Sequence, residues 1–219
     1  MCGRFASVDE EEIVETFGIE NVAGCAEPTD NCAPTQMVSI VVDRVHDDRV
    51  VRQLRLARWG LVPSWSKTLD FRHVLFNARS ETVTAKPSFK SAALHRRAVV
   101  PASGYYEWMK NPDHGSTPYF LHPSDDSVLG FAGLYEWWRV PPGTLVRDAV
   151  DGWLCSVTII TRPAADEIGE IHDRMPVVVP PDLLGDWLDP GLDDPAKVED
   201  MIAEIPDPVL VPVQRSPMS

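Results

Sequence analysis

Hydrophobic and polar positions recur with two different periods along this chain. Between Glu10 and Phe17 the apolar residues are Ile13, Val14 and Phe17, a spacing that predicts a short amphipathic helix. Asp9 is placed to cap it, with Glu12 three residues further on. Most other segments follow the period of two that belongs to strands. Val38 to Val42 and Val51 to Trp59 read as extended. In the second, Arg52, Leu54, Leu56 and Arg58 share one face, and Gln53, Arg55, Ala57 and Trp59 the other. Arg97 to Pro101 and Gly104 to Met109 read as strand, turn and strand. Tyr119 to His122, Ser127 to Tyr135 and Trp153 to Thr161 are rich in aromatic and β-branched residues and also predict strands. Short helices are predicted over Ser80 to Ala85, Lys90 to His95, Ala164 to Ile171, Pro181 to Leu188 and Pro195 to Ile205. Pro181 and Pro195 stand where first-turn prolines belong. His114 to Ser116 and Pro141 to Gly143 read as loops. Many strands with dispersed short helices predict an α+β fold: one domain over residues 1–219, with a curved, mainly antiparallel β-sheet core and short flanking helices.

Composition narrows the function classes. A chain of 219 residues with 44% hydrophobic positions is long enough for one substantial core. No stretch reaches the length of a membrane span, and Met1-Cys2-Gly3-Arg4 opens without an apolar signal region, so the expected location is cytoplasmic. The four cysteines, Cys2, Cys25, Cys32 and Cys155, form no CxxC pair, which predicts free thiols in a reducing compartment. Cys25 and Cys32 are a poor match to a zinc knuckle, and no metal or cofactor is expected. Cys32 and Cys155 read as small buried apolar residues. The net charge of −13 argues against simple electrostatic binding of nucleic acid. It fits a surface that stays soluble in a salt-rich cytoplasm. The positive charge that is present comes from 15 arginines against 5 lysines, the side chain suited to bidentate phosphate contacts.

Cys2 carries the candidate chemistry. Removal of Met1 leaves a free α-amine and a thiol on adjacent carbons. The amine condenses with an aldehyde to an imine, and the thiol then closes a thiazolidine. The reference pKa of an α-amine, about 7.7–8.0, leaves a useful neutral fraction at physiological pH. From position alone, a frayed terminus is the simpler reading of Cys2. Its companions change that. In order come Cys2-Gly3-Arg4-Phe5, Asn31-Cys32-Ala33-Pro34-Thr35 and Trp59-Gly60-Leu61-Val62-Pro63-Ser64-Trp65. Then follow Asn77-Ala78-Arg79-Ser80-Glu81-Thr82, Pro101-Ala102-Ser103-Gly104-Tyr105-Tyr106-Glu107-Trp108 and Ile171-His172-Asp173-Arg174-Met175-Pro176.

Together these segments closely resemble the SRAP (SOS response-associated peptidase) family, whose members cross-link to abasic sites. The resemblance implies that Cys2 is the cross-linking residue and that Asn77 orients it. It implies that Glu107 moves protons during sugar opening and that His172 assists imine formation. Arg4, Arg79 and Arg174 match phosphate-holding positions, and Asn31 falls within a matching segment on the same DNA-binding side. Trp65 and Trp108 match positions that stack on bases, and Pro34 and Thr161 match groove-lining positions. Ser66 stands where some members carry a second tryptophan. The implied partner is single-stranded DNA with abasic sites, bound by a monomer. Structural roles remain open for each catalytic candidate. Asn77 could cap the helix near Ser80, Glu107 could pair with Arg79 or Arg174, and His172 could cap the helix before it. The rival activity is a thiol peptidase acting through Cys2. Trp137, Trp138, Trp153 and Trp187 are assigned to packing.

Overall fold

The structure is a computed structural model that describes residues 2–69, 73–111 and 115–217. Its strands are β1 (Arg4–Ala6), β2 (Asn21–Val22), β3 (Met37–His46), β4 (Arg49–Trp59), β5 (Asn77–Arg79) and β6 (Arg97–Ala102). They continue as β7 (Gly104–Asn111), β8 (Gly115–His122), β9 (Leu129–Arg139), β10 (Trp153–Pro163), β11 (Arg174–Pro176) and β12 (Val211–Gln214). The helices are α1 (Glu10–Phe17), α2 (Lys90–His95), α3 (Asp166–Ile171), α4 (Leu184–Leu188) and α5 (Pro195–Glu204).

The larger sheet runs β11-β10-β9-β6-β3-β4-β2, and a parallel pairing of β10 with β4 bends it into a closed barrel. Closure leaves the barrel's own strands without a free edge. A second sheet, β1-β7-β8-β12, packs its Phe5, Tyr105 and Leu121 into the barrel's interior cluster. The interior comes from one parity of each strand: Val38, Ile40 and Val42 of β3, Ala57 and Trp59 of β4, Val157 and Ile159 of β10. The opposite parity, Val41, Leu54, Val99, Ala132 and Ile160, faces outward under α1, α2, α4 and α5. Burial on both faces follows directly from strand alternation. The two faces read for β4 therefore both have partners.

Several boundaries shift for physical reasons. β3 and β4 extend beyond the predicted apolar stretches into one hairpin, joined by Asp47 and Asp48 at φ 49° and 59°. Two consecutive left-handed residues make the turn that suits a two-residue hairpin, and aspartate tolerates that conformation. Asp9 caps α1 as expected, accepting from the Glu12 amide at 2.9 Å. The helix predicted over Ser80 to Ala85 is only a 3₁₀ turn, Ser80–Thr82, without a side-chain cap. Pro181–Leu183 is likewise a 3₁₀ turn leading into α4. Gly115 and Ser116 open β8 instead of lying in a loop, and His114 lies outside the described residues. Gly104 is required where β7 starts, because a Cβ there would stand 2.6 Å from the Leu121 carbonyl oxygen. Trp138 and Trp187 are fully buried, whereas Trp153 is 41% exposed and does not belong to the core. No helix among the described residues is long and apolar enough to cross a membrane.

Candidate active site and nucleic-acid interface

The beginning of the chain is pinned by the residues that follow it. β1 pairs with β7 in the register Arg4–Tyr106, Phe5–Tyr105 and Ala6–Gly104. Phe5 enters the barrel edge-on to Trp59, with ring centres 5.0 Å apart, and to Phe131 at 6.0 Å. Burying that ring contributes about 2 kcal/mol and fixes where the preceding residues lie. Cys2 is fully buried as a result.

Asn77 comes from β5, which lies parallel to β10 with Asn77 opposite Ile159. Its Nδ2 donates to the Cys2 carbonyl oxygen at 2.8 Å. It does not cap the 3₁₀ turn that follows. Glu107 lies on β7 and is 4% exposed. Burial raises its pKa, opposed by positive charge that includes His172. Burial also raises the Cys2 thiol, and the nearby Glu107 charge raises it further, so Cys2 is held as a thiol.

His172 follows α3, whose Ile168 and Ile171 pack on the interior cluster. It is the C-cap residue of that helix, and its ring also faces Glu107, with Nε2 4.0 Å from Oε2. Nδ1 accepts from the Arg174 amide at 3.0 Å, which leaves the neutral ring's proton on Nε2, toward Glu107. The Asp173 carboxylate also lies 3.0 Å from Nδ1 and is mostly exposed. The ring thus lies between two carboxylates, Asp173 within contact of Nδ1 and Glu107 4.0 Å from Nε2.

The pairing of Glu107 with Arg174 does not occur. Arg174 donates both terminal nitrogens to Glu81, and one of them also to the Thr161 carbonyl. That pair holds the Glu81 carboxyl down at about 2. Tyr105 was not singled out by sequence reasoning. Its phenol is buried, raised first by burial and then by Cys2 and Glu107, and its hydroxyl has no hydrogen-bond partner among the described residues. The available signal was the strand parity it shares with Glu107.

The residues matched to DNA contacts divide into two groups. Trp65 is 65% exposed, and Arg79 is exposed one residue beyond the Ala78 that β5 buries. Arg4 is half-buried and donates to Asn31 Oδ1 at 2.8 Å, while Pro34 is half-buried nearby in sequence. Trp108 is half-buried against Ala6, Tyr106 and Phe120. Thr161 and Arg174 are buried and bonded to each other. Among the described residues no cluster of His, Cys, Asp or Glu is arranged to hold a metal.

A barrel closed through β10 and β4, with Cys2 enclosed beside Asn77, Glu107 and His172, defines a single-domain α+β protein of one family. The chain belongs to the SOS response associated peptidase (SRAP) family, whose model matches residues 1–216. It is 32% identical over 205 residues to the abasic site processing protein YoqW of Bacillus subtilis, covering 92% of this chain and 86% of that one. It is 33% identical over 189 residues to the abasic site processing protein HMCES of Gallus gallus, covering 74% of this chain and 54% of that protein. A solved structure from Bordetella bronchiseptica shares the fold with TM-score 0.78 at 24% identity, covering 98% of this chain and all of that one. A phage-related protein of the same organism gives TM-score 0.70 at 28% identity, covering 98% and 95%.

Proposed function

We propose that this protein captures abasic sites in single-stranded DNA by a covalent bond through Cys2, exposed as the N-terminal residue once Met1 is removed. The carrying observation is the enclosure of Cys2 beside a buried carboxyl that faces a histidine. The names of the similar proteins from Bacillus subtilis and Gallus gallus support the substrate class.

The steps follow from the groups present. Glu107, with its raised pKa, donates and recovers a proton as the abasic deoxyribose opens to its aldehyde. The Cys2 amine attacks C1′, and loss of one water gives the imine. His172 moves the protons of that step from its Nε2 side. The Cys2 sulfur then adds to the imine carbon, its proton passes to nitrogen, and the thiazolidine closes. No oxidant or reductant is needed. Asn77 holds the Cys2 carbonyl while the amine and thiol react. Arg4 and Arg79 hold backbone phosphates, Trp65 stacks on a neighbouring base, and Asn31 and Pro34 flank the strand. Arg174 and Thr161 act from beneath, through Glu81. The protein works as a monomer in the cytoplasm.

A thiol peptidase fits less well, because a buried thiol with a raised pKa is a poor source of thiolate. The test is a denaturing gel of the protein with a single-stranded oligonucleotide carrying one abasic site. A heat-stable shifted band is expected with wild type and absent with Cys2→Ala or with an intact oligonucleotide. No shift, with loss of Met1 established by intact mass, overturns the proposal.

A further inference from the structure

The barrel has a second end. β10 begins at Trp153 and reaches Ile159, opposite Asn77, six residues later, about 20 Å along a strand. At the Trp153 end lies a cavity of about 780 Å³, within the size range of small-ligand pockets. Its wall includes Arg44, Arg55, Arg147, Trp137, Trp153 and Cys155. Trp137 pairs with Cys155 and Trp153 with Arg139, so both indoles lie on the same face of the β9–β10 ladder.

The charges here lack opposite partners. Arg55 stacks its guanidinium over Trp137 at 5.3 Å and donates to the neutral Gln53 amide at 2.9 Å. Arg44 and Arg147 form no ion pair among the described residues. Asp148 and Asp151 also line the cavity but pair with none of these arginines. Charge of both signs reaches the cavity floor: burial pushes the Cys155 thiol up to about 12, Arg55 and Arg44 pull it down, and Glu136, weaker than either, raises it. Guanidiniums outside any ion pair supply donors for an anion, and Trp153, 41% exposed with Arg139 5.9 Å over its ring, and the half-buried Trp137 supply indole surface for a flat ring. Nothing in the abasic-site chemistry uses this end of the barrel.

We propose that this cavity binds a free nucleotide, its phosphate held by Arg55, Arg44 and Arg147 and its base laid against Trp137 and Trp153. The site is separate from Cys2, so it holds or fails independently of covalent capture.

Equilibrium dialysis of the full chain with adenosine monophosphate tests it, beside adenosine alone, inorganic phosphate alone and an intact single-stranded oligonucleotide. The nucleotide is expected to bind at one site, with adenosine and phosphate each weaker. Arg55→Gln and Arg147→Gln should each weaken the nucleotide by about tenfold or more, the loss expected for one charge-assisted contact. Both variants should still cross-link to the abasic oligonucleotide, which shows that they are folded. Failure of the nucleotide to bind overturns the proposal, as does binding that both variants retain unchanged. Arg55-dependent binding of the oligonucleotide without binding of the nucleotide also overturns it, and assigns the cavity to a strand.

Discussion

The side chain of Asn77 bonds the main-chain carbonyl of Cys2 at 2.8 Å, so a three-residue strand inside the sheet sets the position of the chain's beginning. Losing that donor leaves a buried carbonyl without its partner, which costs about 1–3 kcal/mol. Asn77→Ala and Asn77→Asp should therefore both slow covalent capture by about tenfold or more. Affinity for an intact strand should not change. Single-turnover gel kinetics beside a binding titration separates the two.

Glu107→Gln removes a buried ionisable group whose folded pKa is raised. Such a group favours the folded state below its unfolded pKa, and that advantage is lost as pH rises through the folded pKa. The variant should therefore melt higher than wild type near pH 8, with the gap closing as pH falls toward 4. It should also cross-link far more slowly. A variant less stable than wild type at pH 8 would contradict the assignment of burial as the dominant influence on Glu107.

His172→Gln keeps an amide near Glu107 but cannot relay protons. General acid–base groups contribute about 10²–10⁴-fold, and a loss at the lower end of that range is expected in the cross-linking rate. Thermal stability should hardly move, because the ring is only half-buried. The rate at saturating abasic DNA should fall while affinity for an intact strand stays the same, which a purely structural role would not cause.

Glu81 has a folded pKa of about 2, depressed by its bonds to Arg174. Its stabilisation is present above the unfolded value of about 4.3 and disappears as pH falls toward 2. The carboxylate side chain is 46% exposed, so solvent screening limits the contribution to about 1 kcal/mol. Melting curves of wild type and Glu81→Gln should differ at pH 7 and converge in that acid window.

Trp65→Ala should weaken binding of an intact single strand by about 1–3 kcal/mol, the range for one base stacked on an aromatic ring. The capture rate at saturating DNA should be unchanged. A drop in the saturated rate would place Trp65 in the chemistry and not in strand binding.

Elements that carry their own periodicity were legible in the sequence. α1 with its Asp9 cap and α2 match their predicted spans, β4, β6, β7 and β10 contain theirs, and β9 begins two residues later than predicted and runs on to Arg139. Elements held only by a neighbour were not legible. β5 has three residues and exists by pairing with β10, and β12 contains Pro212, which fits an edge strand but reads as a break. Barrel closure was hidden for a similar reason, since the β10–β4 contact is parallel and joins distant segments. For the site, resemblance supplied Cys2, Asn77, Glu107 and His172, but nothing in their spacing places them together. Their meeting depends on β1 pairing with β7 and on α3 packing against the barrel. The pairing of Arg174 with Glu81 was not read from the sequence, because 93 residues separate them and nothing in their spacing brings them together. Only the fold distinguishes the exposed rim from the buried floor.

Cys2 has no solvent-accessible surface. An abasic sugar must pass the same enclosure before any bond forms, so the rate of capture would include how often the structure around that residue opens locally. Conditions that loosen the fold without melting it would then speed capture, and the local stability of the chain's beginning would act as a gate on its own chemistry.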